Sequence, residues 1–264
     1  MCQPSLPPQN RHFRTLRTIG ALILREMSTT YGKSAIGYLW ALVEPIAALT
    51  LMSVVFSLFL RQPALGANFP LFFASGFLVF QIYAGVGNKV ATSIQFSRQL
   101  LEFPAVTALD AVLARFILNY VTQLTVIFIM ISGLIVYFDL RVHLDIGAIL
   151  TALGMAGIFT LGIGAFNSYL FIAYPAYQTI WAIANRPMFI LSGIFFLFGD
   201  VPQPFRDLLW FNPIIHIVGQ MRIGIYATYE GNYVSISYVC SLGLAFFVMG
   251  MFILHRYLRQ ALLK

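Results

Sequence analysis

The sequence predicts an all-α polytopic membrane protein with six transmembrane helices, an N-terminal amphipathic interface helix and re-entrant helices before the last span. Three observations predict it. First, 59% of the 264 residues are hydrophobic and only 9% are charged, where a soluble domain carries about 25% charge. Folding hides only about 70–75% of the surface of a chain this size, so the surplus apolar area needs a bilayer; a mean hydropathy of +0.83 agrees. Second, six apolar runs reach the roughly 20 residues that cross a bilayer as a helix. Third, no segment alternates with period two, as a transmembrane β-barrel would.

The chain divides into residues 1–34, a tail with the interface helix, and residues 35–264, the six-span domain. The opening residues, with Pro4, Pro7, Pro8, Arg11 and Arg14, are polar and proline-rich. They hold no apolar core segment, so a cleaved signal peptide is not expected. In Leu16–Tyr31 the apolar residues Leu16, Ile19, Ile23 and Met27 recur at helical spacing, with Arg17, Arg25 and Glu26 between them. That pattern predicts an amphipathic helix lying on the membrane surface.

The spans are Ile36–Leu60, Pro70–Val90, Ala111–Phe138, Ile146–Ala173, Thr179–Phe198 and Tyr233–His255. Between the second and third lies Thr92–Thr107, the longest connection on its side, which reads as a short helix ended near Pro104. Between the fifth and sixth lies Pro202–Tyr226, apolar but broken by Pro204 and Pro213. Its pieces are too short to cross, so a re-entrant pair of half-helices fits. Glycines at 154, 157, 162 and 164 in the fourth span permit close helix packing.

Charge sets the orientation. Arg11, Arg14, Arg17, Arg25 and Lys33, then Lys89, Arg98 and Arg115, then Arg256, Arg259 and Lys264 put eleven basic residues on one side. The other side holds four, Arg61, Arg141, Arg206 and Arg222. The positive-inside rule places both termini in the cytoplasm. The net charge of +7 is dispersed between spans. It therefore reads as topology and contact with anionic lipid rather than as a nucleic-acid footprint.

Catalytic and metal chemistry find little support. Cys2 and Cys240 offer neither a disulfide framework nor metal spacing. His12, His143, His216 and His255 do not pair with Cys, Asp or Glu at ligand spacing, and no Gly-x-Ser-x-Gly elbow occurs. Gly32-Lys33-Ser34 mimics the end of a phosphate-binding loop, but Met27 stands where the loop needs its first glycine, and no strand precedes it. The chain shows no ATPase of its own.

Two ionisable residues lie inside spans, where charge is costly. Glu44, beside Pro45, either snorkels toward Lys33 or water, or faces the bundle interior at a proline bend. Arg186, beside Pro187, either contacts an anionic group of a cargo or pairs internally with Glu44 or a carbonyl. Tyr38, Trp40, Trp181, Trp210 and Tyr226 fall near span ends, as an interfacial aromatic belt does. Aromatic rings also stack on sugars.

Arg25-Glu26-Met27, Tyr31-Gly32-Lys33-Ser34 and Gly37-Tyr38-Leu39-Trp40-Ala41-Leu42-Val43-Glu44-Pro45 resemble the N-terminal signature of type-2 ABC exporter permeases. Among these the chain is most similar to the capsular polysaccharide export permeases of Gram-negative bacteria. Asn212-Pro213-Ile214-Ile215-His216 resembles the motif they carry before the last span. The resemblance runs from about residue 15 to the end.

It implies a homodimer in the bacterial inner membrane, served by two copies of a separate ATP-binding cassette subunit that binds ATP and Mg; the permease itself holds no cofactor. It further implies a periplasmic co-polymerase, an outer-membrane export protein and a lipid-linked polysaccharide cargo. On this resemblance Arg98, Gln99, Leu100, Glu102, Phe103 and Pro104 form the coupling helix, with Arg25 and Glu26 on the interface helix beside it. Tyr38, Trp40, Glu44, Tyr83, Trp181 and Arg186 face the substrate channel. Trp210, Asn212, Pro213, His216 and Arg222 form the periplasmic exit. Capsule relatives tend to carry a glutamate two residues before the arginine, and this chain carries Gln220. Export of O-antigen or teichoic acid, and a non-ABC transporter, are the alternatives.

Overall fold

The computed structural model describes residues 14–31, 36–59, 63–66, 68–101 and 106–262. The described residues are helical, with no strand among them. Gly32-Lys33-Ser34, Glu102, Phe103 and Pro104 lie outside them.

Among the described residues four helices are long and apolar enough to cross a membrane: Phe69–Ala91, Ala108–Tyr137, Ile146–Ala173 and Ile236–Leu258. Two of the expected six are not in that set. One is α2 (Ile36–Phe59), of which the stretch Leu42–Phe56 qualifies as a shorter apolar helix. The other is α8 (Pro175–Leu191), which has 17 residues. The expected fifth span, Thr179–Phe198, is thus displaced. Its helix begins earlier, on Pro175 at the first turn, where proline's fixed φ suits a start. It stops at Leu191 because Gly193 adopts φ +74, a left-handed conformation that ends the helix.

The second span is one run in three parts. α3 (Phe69–Gln81) starts on the side chain of Asn68, which accepts from the Leu71 N–H. A wider π-helical turn follows at Ile82–Val86, and α4 (Gly87–Ala91) completes the run. α5 (Ser93–Phe96) is a single turn. Within the connection Thr92–Thr107, expected to hold a short helix, turns follow α5 from Ser97 to Leu101, and residues 102–105 lie outside the described residues.

α6 (Ala108–Tyr137) opens on a capping box between Thr107 and Asp110. α7 (Ile146–Ala173) packs against α4, α10 and α11 and is the centre of the bundle. Glycine lets α11 (Ile236–Leu262) approach α7 closely: a methyl group on Gly162 would collide with the Gly243 carbonyl, and one on Gly250 with the backbone at Phe166. Gly157 and Gly164 are likewise closed in, by Tyr120 and Val90, whereas Gly154 faces open space.

The expected broken segment before the last span consists of α9 (Phe205–Trp210) and α10 (Pro213–Ile225). Asn212 caps α10 by accepting from the Ile214 N–H. α10 is buried for most of its length against α3 and α7, while α9 has no buried residue.

Candidate functional site

α1 (Arg14–Glu26) was expected to rest on the membrane through Leu16, Ile19, Ile23 and Met27. Instead, Ile19 and Leu22 are buried against Ala114 of α6, with Ile23, Leu100 and Leu113 around them. Leu16, Leu24 and Met27 stay exposed along another face. The helix is clamped to the bundle on one side and keeps a second, exposed apolar face.

The clamp is ionic as well as apolar. Glu26 is buried, and its Oε1 lies 3.1 Å from Nε of Arg115. Asn119 Nδ2 donates to the same oxygen at 3.3 Å. Arg115 also donates to the Thr92 carbonyl at 3.2 Å and stacks over the Phe96 ring at 4.2 Å. Arg25 stands 5.6 Å from the centroid of that ring. The expected coupling residues Arg25, Glu26 and Leu100 are therefore brought together, with Arg98 and Gln99 exposed on the turn beside them.

Sequence reasoning used Arg115 only as a topological charge and passed over Phe96 and Asn119. The signal was available: Arg115 sits two turns inside an apolar helix, where a cation needs a partner.

The expected channel residues separate into two cavities on either side of the π-helical turn. Tyr83 and Trp181 line an apolar cavity of about 580 Å³ together with Asn212 and Pro213, so two channel residues meet two exit residues. Tyr83 donates to Asn185 Oδ1 at 2.7 Å and stacks on Phe159 at 5.8 Å, tying the turn to α8 and α7. Trp40 and Glu44 line a different, polar groove of about 410 Å³ between α2, the second span and α6. Tyr38 lies on α2, but its side chain falls outside the described residues. Arg186 is exposed on α8, and among the described residues it pairs with neither Glu44 nor a carbonyl.

The expected exit residues divide the same way. His216 is fully buried and held in one tautomer: Nδ1 accepts from the Ser235 N–H at 3.3 Å, so Nε2 carries the proton it donates to the Trp210 carbonyl at 2.7 Å. Burial pulls its pKa below the ordinary histidine value, and its backbone bonds oppose that only in part. It braces the corner between α9 and α10 and leaves no ring nitrogen for a ligand.

Arg222, expected among the outer cations, is 1% exposed. It donates to the carbonyls of Ile194 and Phe196, each at 3.0 Å, and lies 4.2 Å from the centroid of the Phe72 ring. Burial lowers its pKa to about 10, so it stays charged at neutral pH. It satisfies two carbonyls of the turn that follows α8. Gln220 keeps a polar role by donating to Thr151 Oγ1 at 3.1 Å.

Among the described residues no group of His, Cys, Asp and Glu is arranged to hold a metal ion.

Residues 17–226 match the ABC-2 type transporter family. Over 249 residues the chain is 28% identical to the polysialic acid transport protein KpsM of Escherichia coli, covering 93% of this chain and 95% of that protein. Over 241 residues it is 25% identical to the capsule polysaccharide export inner-membrane protein CtrC of Neisseria meningitidis serogroup A, covering 91% of each. Over 218 residues it is 22% identical to the O-antigen export system permease protein RfbA of Klebsiella pneumoniae, covering 81% of this chain and 83% of that protein.

Proposed function

Because this chain belongs to the ABC-2 type transporter family, we propose that it is the permease subunit of an ATP-driven exporter that moves lipid-linked capsular polysaccharide across the bacterial inner membrane. One observation carries the choice of cargo: the polysialic acid transport protein and the serogroup A capsule export protein align over more than nine-tenths of both chains, and the O-antigen permease aligns over less at lower identity.

In this reading the protein is a homodimer with both termini cytoplasmic. The four long spans are completed by α2 and α8, and α9 with α10 forms the re-entrant pair at the periplasmic exit. α8 has no buried residue within one chain, although it is mostly apolar and carries the exposed Arg186. A second copy and a passing polymer supply the contacts it lacks. Two cytoplasmic ATPase subunits bind ATP and Mg and press on residues 92–107. The Glu26–Arg115–Phe96 clamp passes that push to α1 and α6 as one body. ATP shifts the dimer only by favouring one arrangement over another, and the favoured arrangement parts the α2 and α8 seam. A periplasmic co-polymerase and an outer-membrane protein receive the chain.

Deleting the gene in the cells that carry it tests this reading. Surface glycan is expected to vanish while lipid-linked glycan accumulates inside, and the plasmid-borne gene restores export. Unchanged surface glycan would overturn the proposal; loss of O-antigen with capsule intact would move the cargo to the other branch.

A further inference from the structure

The polar groove between α2, the second span and α6 has an unusual lining for its depth. Glu44 is eight residues into α2, roughly 12 Å by helical rise, and Gln81 is ten residues from the end of the second span, roughly 15 Å. Both line the groove with Trp40, Asn88, Lys89 and Gln123. Among the described residues, the side chains of Trp40, Glu44, Gln81, Asn88 and Lys89 have no hydrogen-bond partner. Gln123 only reaches the Leu78 carbonyl at 3.5 Å through Nε2, which leaves its Oε1 open. Polar groups at membrane depth face a cavity that satisfies them or are not tolerated.

The π-helical turn shapes the same place. Ala84, Gly85 and Val86 form part of the wall, and a methyl group on Gly85 would meet nothing within 4 Å. Pro45 closes the opposite side and removes a hydrogen bond from α2 there. Such turns are frequent at functional sites.

From this lining we propose that the groove is a saccharide-binding subsite, one per protomer, that holds a sugar unit of the exported polymer before it enters the seam between protomers. The chemistry selects the ligand. Two primary amides, Gln81 and Gln123, offer paired donors and acceptors that match vicinal hydroxyls. Trp40 offers an apolar ring face at the rim. Glu44 accepts from hydroxyls and stands against an isolated phosphate, whose charge Lys89 alone would have to balance. The inference rests on the reading of the chain as a glycan export permease.

The test uses the full-length protein with its co-encoded ATPase in the cells that make the polymer. A benzophenone amino acid replaces Asn88, whose side chain is exposed and unbonded, or Gln81, or as a control Leu150, exposed on α7 outside the groove. After irradiation the permease is purified under denaturing conditions, and attached glycan is read by periodate oxidation and hydrazide labelling. Capture is expected at Asn88 and Gln81 and not at Leu150. Gln123→Leu is expected to lower it about five- to tenfold, the loss of one hydrogen bond. Gly85→Leu is expected to fill the groove, ending capture and export together, while Gly85→Ala keeps both.

Capture at Asn88 no greater than at Leu150, in cells that export normally, would overturn the subsite. So would normal export by Gly85→Leu. If deleting the gene leaves surface glycan unchanged, the export reading fails first; if deletion removes it and the groove captures nothing, the subsite alone is wrong.

Discussion

Nε of Arg115 sits 3.1 Å from Oε1 of Glu26, joining the interface helix to α6 across 89 positions of sequence. Both side chains are buried, so each compensates the other's charge in a region of low polarity. Losing one partner from such a pair costs on the order of 3–5 kcal/mol, because the other is left buried and unpaired. Arg115→Met is therefore expected to lower the thermal unfolding midpoint in detergent sharply. The double variant Glu26→Leu/Arg115→Met is expected to recover part of the loss. Additive losses in that double-mutant cycle would show that the two residues act separately.

Arg98 lies on the turn that Phe96 anchors against Arg25 and Arg115. Arg98→Glu is expected to leave membrane insertion intact while ATP hydrolysis by the partner no longer drives export. Export equal to wild type would remove this turn from the coupling path.

The α7–α11 crossing leaves no room for a side chain at Gly162. Gly162→Leu is expected to destabilise the protein by about 1–3 kcal/mol or more through overpacking, read as a lower unfolding midpoint. Gly154→Ala, in open space on the same helix, is expected to be neutral.

His216 gives a pH dependence of definite sign. Its folded pKa lies below the ordinary value, so the unfolded chain binds the proton more readily. Its contribution to stability is intact above about pH 6.5, the usual histidine pKa, and is lost as pH falls from there through the folded pKa. Protonating Nδ1 would also break its bond from the Ser235 N–H. The unfolding midpoint is expected to fall between pH 7.5 and 5.5, and less so in His216→Gln. Identical pH profiles for the two proteins would count against this role.

Arg186→Ala is expected to impair export more than Arg186→Lys, because an exposed cation on α8 acts through its charge. Wild-type export by both variants would leave Arg186 without a part in passage.

Much of the fold was legible because apolar length is a local property. The run Ile146–Ala173 became α7 with those bounds. Contacts between distant elements were not legible. Counting Arg115 and Arg222 as topological charges gave an orientation but hid two buried cations, whose partners are the remote Glu26 and the carbonyls of Ile194 and Phe196. The fifth helix was misplaced because hydropathy continues past Ser192, and only the backbone of Gly193 shows the stop. In the expected coupling segment the helix seen among the described residues is Ser93–Phe96, and turns follow where Phe96 lies under Arg115. Trp40 and Glu44 line one groove, but the amides facing them come from α3 and α6 and have no signature in sequence.

The most direct test of the central claim is reconstitution. The permease and its co-encoded ATPase are placed in proteoliposomes with radiolabelled lipid-linked polysaccharide, and glycan on the far side is measured by protection from an added glycosidase. Translocation is expected only with both chains and hydrolysable ATP, and not with Arg98→Glu. Translocation by the permease alone, or driven by an ion gradient without nucleotide, would contradict the account.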